Sequence, residues 1–309
     1  MTSKVAAVAS AIAVALALAG CGLGAGKGTS DVGLTITRDF GSVPVGSVVE
    51  HQVPGSQTVM RMLERSFRIS TRYGGGFVES INGISGNSDR RDWFYYVNGI
   101  EAPLGAAGTG VHKGDRIWWD LHDWSATDSI PAVVGSFPEP FVHGIDGRRY
   151  PTTLECASDT TVACQRVASQ LDAIGVKVAS QALGAGGSGT DSLAVVVGTW
   201  KDVQGEFAAS EIEAGPGSSG IYARFGGING STLELLNPHG QVVRTLGAGA
   251  GLIAATGNSS TAPVWIVTGT DKAGVAAAAS ALTAARLDDH FAVAMDGQTD
   301  IPVPLEASS

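Results

Sequence analysis

The sequence predicts an α+β protein in two parts: an N-terminal domain in which one helix crosses a mixed sheet, then a second α/β domain with its own mixed sheet. Three observations predict it. Residues 32–126 hold four of the six tryptophans and alternate strand-like runs with tight turns around one helical stripe. Residues 151–305 change to Ala-rich helical stretches set between Val- and Ile-rich strands. Between them, residues 127–150 are punctuated by Pro and Gly, from Ile130-Pro131 through Phe137-Pro138-Glu139-Pro140-Phe141 to His143-Gly144, and read as a connector.

The chain starts with a positive segment, Met1 to Lys4, and an apolar run, Val5 to Leu18, broken only by Ser10. A positive start, a short apolar segment and small residues before a cut site mark residues 1–20 as a secretory signal. The run falls short of the roughly 20 residues that span a bilayer. Its ending, Leu18-Ala19-Gly20-Cys21, resembles the lipobox of bacterial lipoproteins. That resemblance implies that Cys21 is lipidated and becomes the first mature residue, holding the protein on the outer face of the cell membrane through more than one acyl chain. An ordinary signal peptide with an incidental cysteine is the alternative. Residues 21–31 are Gly-rich and read as a flexible tether. Gly26-Lys27 brushes against a phosphate-loop pattern, but Cys21 and Gly28 break it.

In the first domain, Gly33 to Arg38 alternates as a strand, and a second strand is expected at Val48 to Val53. Pro54-Gly55-Ser56 offers a turn and an N-cap. Val59, Met60, Leu63 and Phe67 then follow at helical spacing, so one apolar stripe faces a sheet. Ile69 to Tyr73, Gly76 to Ile81 and Trp93 to Val97 read as further strands, and Asn98-Gly99 as a tight turn. The last strand, Asp115 to Trp124, carries three tryptophans. By period-two alternation Ile117, Trp119 and Leu121 share one face, and Trp118, Asp120, His122 and Trp124 the other. Phe94 and Tyr96 alternate away from Trp93 and Tyr95 and are expected beside Trp118 and Trp124. The six residues Phe94, Tyr96, Trp118, Asp120, His122 and Trp124 are thus the candidate ligand-binding surface. Exposed aromatic clusters of this kind mark binding sites. The competing reading has the Phe137 to Phe141 connector folding over them.

Trp93-Phe94-Tyr95-Tyr96-Val97-Asn98-Gly99 and Gly114-Asp115-Arg116-Ile117-Trp118-Trp119-Asp120, followed by His122-Asp123-Trp124, resemble the transcobalamin-like C-terminal domain. The resemblance covers roughly residues 33–126. It implies a β-grasp fold for residues 32–126 and makes cobalamin, or another flat cofactor, the first candidate for a carried ligand, delivered to an uptake system. The helical domain that accompanies this module in animal vitamin B12 carriers has no counterpart in the sequence.

In residues 151–305, Arg149 to Glu155 is expected as an edge strand because of Pro151. A helix over Thr160 to Ile174 is expected to turn Val162, Val167, Leu171 and Ile174 inward. Cys156 and Cys164, an even pair in an exported chain, read as a disulfide. Strands are expected near residues 176–180, 193–197, 221–225, 233–236, 242–246, 251–255, 264–268 and 291–295, with a long helix from Lys272 to Arg286. Val195 to Lys201 and Trp265 to Lys272 rhyme: each is an apolar strand, a Gly-Thr turn and a helix start.

Composition is globular, 44% hydrophobic and 16% charged, with net charge −9. That acidity, without any basic stripe, argues against nucleic acid. Gly184 to Gly189 matches Gly-x-Gly-x-x-Gly, yet a strand follows where a dinucleotide site needs a helix. Gly247 to Gly251 reads as a hairpin or close-packing turn. No Gly-x-Ser-x-Gly elbow and no His-Glu-x-x-His occurs. Asp120, His122 and Asp123, with His112 or His143, form the one carboxylate–histidine grouping that could chelate a metal; pairing of Asp120 with His122 is the simpler account. The expectation is a non-enzymatic binding protein with no resident metal or cofactor. A structural adaptor on a membrane or cell-wall complex is the alternative, and an enzyme in the second domain ranks last.

Overall fold

The computed structural model describes residues 31–86, 90–184, 192–257 and 262–305. The signal segment, Cys21 and nearly all of the tether lie outside the described residues, as does Ala185 to Gly189 of the glycine motif. The architecture is mixed α+β, with several sheets and few helices.

The first unit runs β1 (Val32–Arg38), β2 (Val43–Glu50), α1 (Val59–Ser66), β3 (Ile69–Arg72), β4 (Phe77–Ile81), β5 (Ile84–Ser85), β6 (Arg91–Val97), β7 (Ile100–Glu101) and β8 (Arg116–Asp123). Five strands form a sheet in the order β2-β1-β8-β6-β7, and β3-β4-β5 form a small sheet of their own. β1 and β8 are parallel, and the other pairs of the five-stranded sheet antiparallel. Parallel pairing requires a crossover, and the stretch containing α1 supplies it. The cap of α1 is Thr58, two residues beyond the expected Ser56: its hydroxyl accepts from Arg61 N at 3.3 Å. β2 begins at Val43, earlier than expected. Asn98 and Gly99, with φ of 55° and 77°, make the β6–β7 turn, whose twist suits a hairpin. The buried Asn98 side chain also donates to Asp115 Oδ1 and Gly144 O, at 2.9 and 2.8 Å.

The second unit runs β9 (Thr152–Cys156), α2 (Thr161–Ala173), β10 (Val178–Ala182), β11 (Leu193–Thr199), α3 (Trp200–Val203), α4 (Phe207–Ala214), α5 (Pro216–Ser219), β12 (Ala223–Gly226), β13 (Thr232–Leu236), β14 (Val242–Leu246), β15 (Ala250–Thr256), β16 (Val264–Gly269), α6 (Lys272–Ala281), α7 (Ala284–Leu287), β17 (Ala292–Asp296) and β18 (Thr299–Val303). Its seven-stranded sheet has the order β10-β9-β11-β16-β15-β17-β18, with β12-β13-β14 a separate antiparallel sheet. α2 and α6 cover one face of the large sheet, and α3, α4 and the three-stranded sheet cover the other.

Several expectations for this unit are corrected. β9 is internal, because Pro151 precedes the first paired residue and contributes only its carbonyl, which accepts from Leu193 N. No ladder N–H is lost. Val162 points to solvent, and Ala163, Val167 and Leu171 form the buried stripe of α2. The helix expected from Lys272 to Arg286 is two helices, broken at Leu282. The 247–251 turn links two sheets rather than forming a hairpin. Close packing is its role, since a Cβ on Gly251 would lie 2.4 Å from the carbonyl oxygen of Gly274. The rhyming segments are neighbouring parallel strands, β11 and β16, each leading into a helix. Cys156 and Cys164 are disulfide-bonded, joining the end of β9 to the first turn of α2.

Candidate functional site

The tryptophan strand, β8, has two faces with different fates. Alternation places its residues as expected: Ile117, Trp119 and Leu121 pack with α1, while Trp118 turns the other way with Tyr96. The expected aromatic neighbours do come together. Phe94 stacks on His122 at 4.5 Å between ring centroids, and Tyr96 lies 5.9 Å from Trp118.

That face is filled, which corrects its reading as a ligand-binding surface. Trp118, Asp120, His122 and Tyr96 are 0–2% exposed. The Phe137 to Phe141 stretch is not the cover: Phe137 and Phe141 pack on Trp265 in the second unit. The aromatic cover comes from Phe291, 5.0 Å from Trp118, and from Phe40, which stacks on His122 at 4.7 Å and meets Tyr222 at 5.2 Å. The face is a seam between the two units, and an apolar sheet face of this size must find such a partner. Trp124, half-buried at its margin, donates to Asp92 Oδ2 at 2.9 Å and sits under Arg90.

Inside the seam, polar groups satisfy one another. Trp118 Nε1 donates to Thr37 Oγ1 at 2.7 Å, and Thr37 Oγ1 donates to Asp120 Oδ2 at 2.5 Å. Asp120 also accepts from Phe40 N, Gly41 N and His122 Nδ1 at 2.9–3.0 Å. Buried carboxylates persist only when held in this way. Gly41 is needed here: its φ is +84°, and a Cβ would lie 1.8 Å from the carbonyl oxygen of Asp289. The remaining members of the carboxylate–histidine grouping stand apart. His143 pairs with Glu139 at 2.6 Å, His112 lies 3.6 Å from Asp115, and Asp123 accepts from Ser125 N at 2.7 Å. Among the described residues no three His, Cys, Asp or Glu side chains converge as a metal would need. Ser125 also meets His239 Nδ1 at 3.0 Å, but the carboxylate is on the serine and not on the histidine, so the hydroxyl has no oriented base.

The opposite face holds an opening. A half-open cavity of ≈ 230 Å³ is lined by Met60 of α1, Phe77 and Val78 of β4, Trp93 and Tyr95 of β6 and Trp119 of β8, with Phe94 and Glu101, whose side chains belong to the seam face, at its edge. Gly76, Ala102, Gly105 and Ala106 complete the wall and leave the space unfilled. Tyr95 and Trp119 stack at 4.7 Å, and the Tyr95 hydroxyl is held by Leu104 O and Thr109 Oγ1. Trp119 is 3% exposed, and its Nε1 has no hydrogen-bond partner. Buried indole N–H groups ordinarily find one. The Glu101 carboxyl is not part of this opening: Glu101 stands opposite Tyr96 in the β6–β7 ladder, on the seam face, where burial pushes its pKa above the ordinary range, offset by the Ser129 hydroxyl and then by His122. Alternation assigns Trp119 to the core; the small residues at 76, 102, 105 and 106 are the only sequence signal of a gap.

Residues 56–123 match a family model, the Domain of unknown function (DUF4430). The matched segment holds all the cavity-lining residues. No curated protein matches the chain. Among solved structures, the chain is similar to the crystal structure of "a putative metal binding protein" from Ruminococcus gnavus, at 15% identity over 30% of this chain and 97% of that chain, with a TM-score of 0.25.

Proposed function

We propose that the protein is a non-catalytic, lipid-anchored, extracytoplasmic binding protein that holds a small ligand in the cavity beneath α1 and presents it to an uptake system. The cavity carries this reading: it is walled by aromatic side chains and opens to solvent. Apolar concavities with few polar groups are the usual form of a small-molecule site. The Leu18-Ala19-Gly20-Cys21 ending supports the anchor, and the transcobalamin-like motifs make cobalamin the first ligand to try. The cavity has room for one ring of such a ligand, not for a whole corrin.

Titration of the mature protein with cobalamin, and separately with zinc or calcium, tests this by tryptophan fluorescence and thermal shift. A response in wild type that is lost in Ala102→Leu, which fills the wall, supports the cavity. An equal response in Ala102→Leu overturns it.

The adaptor reading draws on one observation. Tyr73 is 87% and Leu104 61% exposed, and both border the cavity wall through Phe77 and Tyr95. Loss of a membrane or cell-wall partner in a Tyr73→Ser, Leu104→Ser double variant that still binds ligand would favour it.

A further inference from the structure

The cavity lies along a stretch of strand edge that the sheet leaves open. Across the β6–β8 ladder, Asn98 N donates to Arg116 O and Trp124 N to Arg90 O. The main-chain groups of Phe94 and Tyr96 therefore face β8, and those of Trp93 and Tyr95 face outward. On that outer side β7 pairs only with Tyr96 and Val97. Ala102 N reaches Tyr95 O at 3.3 Å, and the next residue, Pro103, has no N–H with which to continue the ladder. Among the described residues no strand lies opposite Trp93. The main chain of β6 borders the cavity here: Phe94 lines it although its side chain stacks on His122 across the sheet.

The side chains of the wall suit an apolar guest. Met60, Phe77, Val78, Trp93, Tyr95 and Trp119 supply the surface. Trp93 Nε1 already donates to Ile84 O at 3.2 Å, and the Tyr95 hydroxyl is engaged by Leu104 O and Thr109 Oγ1. A charged group entering would lose water and meet no counter-charge. The volume of ≈ 230 Å³ takes about one ring, given that an apolar cavity of about 150 Å³ accommodates benzene. Directly opposed residues of an antiparallel pair share a face. A residue placed opposite Trp93 would exchange two main-chain hydrogen bonds with it and send its side chain into the cavity.

We infer that the site takes an extended peptide, added antiparallel to the edge of β6 where β7 leaves it, with one uncharged apolar side chain seated in the cavity. The inference rests on the cavity being the binding site proposed above. The main chain supplies the polar contacts, and the cavity selects the anchoring side chain.

The probes are acetyl-Thr-Phe-Thr-amide, the same peptide N-methylated at its phenylalanine or at its second threonine, acetyl-Thr-Asp-Thr-amide, and toluene. Binding is followed in the full mature chain by NMR, with the Trp93 and Tyr95 amides as reporters. The phenylalanine peptide is expected to shift both amides and slow their exchange. Methylating its phenylalanine nitrogen removes the donor to Trp93 O and is expected to cost about tenfold in affinity. Methylating the second threonine nitrogen, which faces away from β6, is expected to cost nothing. The aspartate peptide is expected not to bind, and Ala102→Leu to lose the phenylalanine peptide and toluene together.

Equal affinity for the two methylated peptides, or Trp93 and Tyr95 amides unmoved by saturating peptide, would overturn strand addition; toluene that still shifts cavity resonances would then leave the cavity as a site for free compounds. Aspartate and phenylalanine peptides binding equally would overturn the apolar anchor. If neither peptide nor toluene shifts any cavity resonance, the binding site proposed above falls together with this inference. The wild-type amides keep the test decisive even if Ala102→Leu fails to fold.

Discussion

Trp118 and Trp119 are adjacent in sequence, almost equally buried, and on opposite faces of the same sheet, yet they lead opposite lives. Trp118 is packed by Phe291 and donates to Thr37, within a network in which Asp120 accepts from four partners. Trp119 borders an open cavity and donates to nothing. A buried polar network completed within the protein fixes one arrangement of two units, whereas the Trp119 face carries an unmet donor beside unfilled space.

The severest break of this comparison is Asp120→Ala. It strips the acceptor from Thr37, Phe40 N, Gly41 N and His122 at once, deep in the seam. A loss of about 3–5 kcal/mol is expected, read by urea denaturation. A loss below about 1 kcal/mol would mean that water reaches these donors and that the seam opens easily.

Much of this contrast is legible in the sequence. Period-two alternation assigns every residue from Ile117 to His122 to its face, and Asn98-Gly99 marks the hairpin turn. The covering of the aromatic face is not legible. Phe40 precedes the strand by a whole crossover, and Tyr222 and Phe291 belong to the second unit. Strand periodicity says which way a residue points and nothing about contacts so far along the chain. The cavity is hidden for a related reason: alternation tells which way Trp119 points, but not that Gly76, Ala102, Gly105 and Ala106 converge there and leave room.

Substituting each tryptophan with phenylalanine sharpens the comparison. Both variants lose ring area in a buried place, but only Trp118→Phe also breaks a hydrogen bond and leaves Thr37 without its donor. A loss of about 2 kcal/mol is expected for Trp118→Phe and about 1 kcal/mol for Trp119→Phe, a gap the size of one hydrogen bond. Equal losses in urea denaturation would show that the Trp119 N–H is satisfied in solution, and the contrast between the two faces would fail.

A pH-dependent effect belongs to Asp289, a seam carboxyl held at odds with its charge. Asp289 has a pKa raised from 3.8 to about 6, chiefly by burial and then by Asp288 and Asp120, with Arg116 acting the other way. Its folded form therefore favours the proton more than the unfolded chain does. The associated stability is fully present below pH 3.8 and is lost as pH rises through about 6. Glu101 and Asp115 are shifted in the same direction and His290 in the opposite one, so the wild-type profile alone does not isolate Asp289. The difference between wild type and Asp289→Asn does. Relative to wild type, Asp289→Asn should gain stability between about pH 4 and pH 6 and hold that gain above it. A difference that stays flat with pH would mean that Asp289 is solvated, and that the seam is wetter at its Gly41 margin than at Trp118.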